Sequence, residues 1–155
     1  MRRQDGYSFV ELIVVTAVLM VVASVVLPLS QVTAQRVREA ELRRALRDMR
    51  TAIDGFKDAV DSGLIPGTEI ELGSEGYPDD LDTLVEGVAV ANDASGRKIK
   101  FLRRIPVDPM APGEEWGKRS YQDRPDSRSW GRQNVFDVYT TSDATALDGT
   151  KYSDW

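Results

Sequence analysis

From Tyr7 to Leu29 the chain reads YSFVELIVVTAVLMVVASVVLPL, an apolar run interrupted by one ionisable side chain, Glu11. A helix of about 20 residues, rising about 1.5 Å per residue, covers the hydrocarbon core of a bilayer. The run therefore restricts the chain to folds in which one helix is surrounded by apolar partners. An acidic side chain at that depth costs about 2.5–3.5 kcal/mol on insertion scales, so Glu11 needs something that offsets the cost. Arg2 and Arg3 supply a basic leader. A cleaved secretory signal fits poorly, because the run is long and no small-x-small site follows it directly. Two readings remain open: an uncleaved anchor in which Glu11 snorkels to the membrane surface, or a cut after Gly6 that leaves a mature chain beginning with the membrane helix.

The helical pattern does not stop at Leu29. Leu42, Leu46, Met49, Ile53, Phe56 and Val60 recur at alternating spacings of four and three, one apolar face of an α-helix, with Ala40, Ala45, Ala52 and Ala59 supporting it. Ser62-Gly63 is a suitable stop. A helix from Tyr7 to about Ser62 would be about 80 Å long. Pro28 lies inside it, lacks an N–H and clashes with the carbonyl of Ser24, so a bend is expected there.

Beyond Gly63 the character changes. Gly63, Pro66, Gly67, Gly73, Gly76 and Pro78 punctuate a loop that leads, after Asp79-Asp80, into a short helix carrying Leu81, Leu84 and Val85 and stopped by Gly87. Residues 99–102, 120–122 and 135–139 read as short strands. The expected fold is α+β: a long N-terminal α-helix whose second half packs its apolar stripe on a small antiparallel β-sheet head.

At 155 residues the chain is one domain plus its anchor. It has no cysteine and no histidine, which removes disulfides, the commonest general base and the commonest transition-metal ligand. Glu114-Glu115 and Asp79-Asp80 are adjacent pairs whose side chains diverge, and no phosphate loop or nucleophile constellation accompanies them, so no enzymatic activity is expected. The net charge of −5 is uneven: residues 36–50 carry six arginines against Glu39, Glu41 and Asp48, and residues 54–93 carry eleven acids against Lys57. Without interleaved aromatics the basic stretch is not a nucleic-acid site. It reads as a solvated helix face, or as a contact to acidic neighbours or lipid headgroups.

Gly6-Tyr7-Ser8-Phe9-Val10-Glu11-Leu12 resembles the processing motif of type IV pilins and of type II secretion pseudopilins, with glutamate fifth after the cut. The resemblance implies a leader over 1–6 and a transmembrane and polymerisation helix over 7–29. It also implies a periplasmic pilin-like domain over 30–155 that includes the second half of the helix. It further implies cleavage between Gly6 and Tyr7 by a prepilin peptidase, methylation of the Tyr7 amine, and pairing of Glu11 with the N-terminal amine of a neighbouring subunit, with Pro28 helping the helix fit a filament core.

Gly76-Tyr77-Pro78, Leu102-Arg103-Arg104-Ile105-Pro106-Val107-Asp108-Pro109, Trp116-Gly117 and Phe136-Asp137-Val138-Tyr139 follow in the order of the major pseudopilin, with residues 111–115 as an insertion. The expected role is a subunit of a homo-oligomeric helical filament, held in the inner membrane with its head in the periplasm and working with minor pseudopilins and a secretion platform in the membrane. The alternatives are a type IV pilus subunit and a membrane-anchored binding or adhesion domain that does not polymerise. In the resembling family the C-terminal loop binds calcium, a role Asp143, Asp148 and Asp154 could serve here. Lys151-Tyr152 stand where the family has paired acids, which leaves open a loop held by hydrogen bonds and a packed Trp155.

Overall fold

The computed structural model describes residues 8–91, 93 and 95–155, with the side chains of 25–29 outside that description. Helix α1 spans Phe9–Asp61 and α2 spans Leu81–Glu86; the strands are β1 Val88–Ala89, β2 Lys98–Ile99, β3 Gly117–Arg119 and β4 Asp137–Tyr139. Short 3-10 turns occupy Gly67–Glu69 and Tyr152–Asp154. The class is α+β, a long N-terminal helix followed by small antiparallel sheets, as the periodicities predict.

Contacts divide the chain into Met1–Val37 and Arg38–Trp155. In the second unit the predicted stripe is the core. Leu42, Leu46, Met49, Ile53 and Phe56 are buried, and Ala45, Ala52 and Ala59 beside them are small enough to let other segments approach the helix. Against them pack Ile65, Leu81, Leu84, Val88, Trp116, Val135, Val138 and Tyr152. Each large side chain so buried contributes about 1.5–3 kcal/mol. Phe56 meets Phe101 edge to face at 5.5 Å between ring centroids.

The end of α1 follows from Gly63. With φ at 72° it donates its N–H to Val60 O at 2.9 Å while Leu64 donates to Ala59 O at 2.9 Å, the paired bonds of a Schellman cap. Helix α2 is capped by Asp80, whose carboxylate accepts the Leu81 N–H at 2.6 Å.

The sheets are smaller than the sequence suggests: among the described residues they are two separate two-stranded antiparallel pairs, β1 with β2 and β3 with β4. Of the expected strand 99–102 only Ile99 pairs, opposite Val88. Phe101 and Leu102 both donate to Leu84 O at 2.9 Å, a carbonyl in the last turn of α2 that has no partner within the helix. The expected strand 120–122 lies three residues early, at Gly117–Arg119 opposite Asp137–Tyr139. Asp123 accepts the Ser120 N–H at 2.7 Å and turns the chain there.

Candidate functional site

The N-terminal part of α1 is apolar on all sides. Phe9, Val10, Leu12, Ile13, Val14, Val15, Val18, Leu19, Met20, Val21 and Val22 are each between 50% and 77% exposed. A helix of this kind is stable only where other apolar groups enclose it. Its hydroxyls are already satisfied: Thr16 Oγ1 donates toward Leu12 O and Ile13 O at 2.9 Å, and Ser24 Oγ donates to Val21 O at 2.7 Å. That is how a helix prepares polar side chains for surroundings without water.

Glu11 is the acid of the first turn. Leu12 donates its N–H to Ser8 O at 3.1 Å, so Ser8 stands at the entry to the helix. Ser8-Phe9-Val10-Glu11 therefore has the spacing of a capping box. The helix N-terminus favours the carboxylate, a local reason for its tolerance that spacing to a cleavage site does not reveal. Gly6 and Tyr7 lie outside the described residues. Pro28 falls within α1, but its side chain also lies outside them. Among the described residues no helix is long and apolar enough to cross a membrane; the apolar run of the sequence continues through 25–29.

The C-terminal loop holds Asp143, Asp148 and Asp154 apart in their contacts. Asp143 Oδ1 pairs with Arg128 at 2.6 Å, and that guanidinium holds its carboxyl below the usual carboxylate range. Asp148 Oδ1 accepts the N–H and hydroxyl of Thr150 at 2.9 and 2.6 Å, which holds its carboxyl low as well, while Oδ2 faces Arg43 at 3.7 Å. Asp154 is exposed on the final 3-10 turn. The described residues contain no group of three carboxylates arranged to hold a metal.

Two charged residues of the basic stretch turn inward. Glu39 is only 6% exposed, and its Oε1 accepts the Leu147 N–H and the Tyr152 hydroxyl, each at 2.9 Å. Arg50 is partly buried; it donates Nε to Asp137 Oδ1 at 2.7 Å and Nη2 to the main-chain oxygen of Trp155 at 2.8 Å. The missed signal for Glu39 is its register, three residues before Leu42 and so on the apolar stripe itself.

Comparison with known proteins matches residues 1–27 to the family model described as Prokaryotic N-terminal methylation motif. No curated protein and no solved structure matches the chain. The matched segment contains the Gly6-Tyr7 junction and Glu11. On this N-terminal match the chain carries the signal of a subunit processed by prepilin peptidase, which supports a type IV pilin-like protein.

Proposed function

We propose that the chain is a non-catalytic structural subunit of a type II secretion pseudopilus. Prepilin peptidase cuts between Gly6 and Tyr7, the new amine is methylated, and the subunit waits in the inner membrane with its head in the periplasm. Minor pseudopilins and the membrane platform of the secretion system start and drive its polymerisation into a periplasmic filament that moves exported proteins outward.

The observation that carries this reading is the N-terminal part of α1, apolar on all sides with one carboxylate in its first turn, within the segment that matches the methylation motif. Such a helix needs lipid before assembly and other helices after it. A carboxylate and an ammonium attract strongly where water is excluded, and either one left alone there is costly. Only a subunit in the correct axial position would satisfy both charges, so the pair acts as a register check.

Replacing Glu11 with alanine tests the pairing. The chain should remain in the membrane fraction and be cleaved, yet yield no filament by electron microscopy; normal filaments would refute the pairing. N-terminal sequencing should find methylated Tyr7 as the first residue. Deleting the gene should strand exported proteins in the periplasm while surface pili persist, whereas loss of pili with normal export would assign the chain to a type IV pilus.

A further inference from the structure

We infer that the C-terminal segment is closed onto α1 by the buried Glu39 carboxylate, without a metal ion. The polarity of the contacts carries the inference. A calcium loop converges oxygen acceptors on a cation, whereas here the loop converges donors on an anion: Leu147 N–H and Tyr152 O–H both meet Glu39 Oε1 at 2.9 Å. Those donors lie 108 and 113 residues along the chain from Glu39, so the carboxylate ties the last segment to the helix.

Two of the three acids that could ligate a metal, Asp143 and Asp148, are committed to other partners. Asp143 pairs with Arg128, and Asp148 is held by Thr150 and faces Arg43. Two arginines of α1 grip the end of the loop. Arg43, one turn after Glu39, stacks 4.0 Å from the centroid of the Trp155 ring, and Arg50 Nη2 reaches the Trp155 main-chain oxygen. Within the loop Ala146 donates to Thr150 O at 2.8 Å, Thr145 bridges Lys151, Trp155 Nε1 donates to Thr150 Oγ1 at 2.7 Å, and Tyr152 meets Trp155 edge to face. The loop is thus shaped by hydrogen bonds of its own and fastened to α1 through the buried Glu39 carboxylate, with Arg43 and Arg50 holding its end. A hydrogen bond to a charged group in such a place is stronger than one between neutral groups.

The test uses the full chain in detergent micelles. Thermal unfolding followed by circular dichroism should have the same midpoint in millimolar calcium chloride as in EDTA. Glu39→Gln should lower that midpoint under both conditions and speed proteolytic cleavage within residues 144–155 by on the order of tenfold. Should Glu39→Gln fail to fold, Tyr152→Phe removes one donor while keeping the ring, and several-fold faster cleavage is expected. A saturable rise in the midpoint with calcium that Asp148→Ala abolishes would overturn the inference. So would a Glu39→Gln or Tyr152→Phe chain that melts and is cleaved like the wild type.

Discussion

Asp123 shows how one side chain sets local structure. Its Oδ2 accepts the Ser120 N–H at 2.7 Å and the Gly131 N–H at 3.0 Å, and these main-chain donors, Gly131 first, hold its carboxyl below the usual range. A depressed folded-state pKa stabilises above the unfolded value and is lost as pH falls through the folded one. The melting temperature of wild type should therefore exceed that of Asp123→Asn at neutral pH, and the gap should begin to close as pH falls below about 4. A gap that stays constant through acid would show that the carboxylate charge is not what matters. Gly87 is a second residue-scale constraint. Its φ is 80°, and a Cβ there would meet Ile99 O at 2.5 Å and Lys100 Cγ at 2.8 Å. Gly87→Ala should cost about 2–4 kcal/mol in urea unfolding, combining left-handed strain with overpacking; a loss within about 0.5 kcal/mol, the range of a neutral surface change, would contradict it. Gly87 was legible as the stop of a helix, whereas the Ile99 carbonyl that makes it obligatory was not, because that contact depends on how β1 and β2 pair.

Among the elements, the helices were the readable part. A stripe repeating at three and four needs no partner to be recognised, and it forms the core as expected, with Leu42, Met49, Ile53 and Phe56 fully buried. Phe56→Ala should accordingly cost about 3–5 kcal/mol. It should lower the urea midpoint with little change in slope, and a cost under about 1 kcal/mol would mean that the head is not built on this face. The strands were poorly readable for a physical reason. Each pair is two or three residues long, too short for alternation to register, and their limits are fixed by distant groups: the Leu84 carbonyl that takes the amides of Phe101 and Leu102, and the Asp123 carboxylate that takes the amide of Ser120. The candidate assembly site was more legible. Glu11 stands out because the residues around it are apolar, although its place at the entry of α1, three residues after Ser8, became visible only in the fold.

At the scale of the whole molecule, the proposed pairing gives each subunit two unequal halves of one contact, a carboxylate offered to one neighbour and an amine offered to the other. A Glu11→Ala subunit keeps the amine and loses the carboxylate, so it can receive a neighbour's Glu11 but cannot complete its own contact. An amine left unpaired in a dry filament core costs about 3–5 kcal/mol, a factor on the order of 10² to 10⁴ in equilibrium incorporation. Expressed alone, the variant should form no filaments; expressed with wild type, it should enter them far below its share of the membrane pool, measured by mass spectrometry of purified filaments. Because Glu11 also has the capping-box position, alanine could act by loosening the first turn of α1. Glu11→Gln separates the two effects, since glutamine serves the capping box and carries no charge. If pairing governs assembly, glutamine is excluded as strongly as alanine. Incorporation of the glutamine variant in proportion to its expression would leave Glu11 a helix cap, and the register of the filament would have to come from the heads.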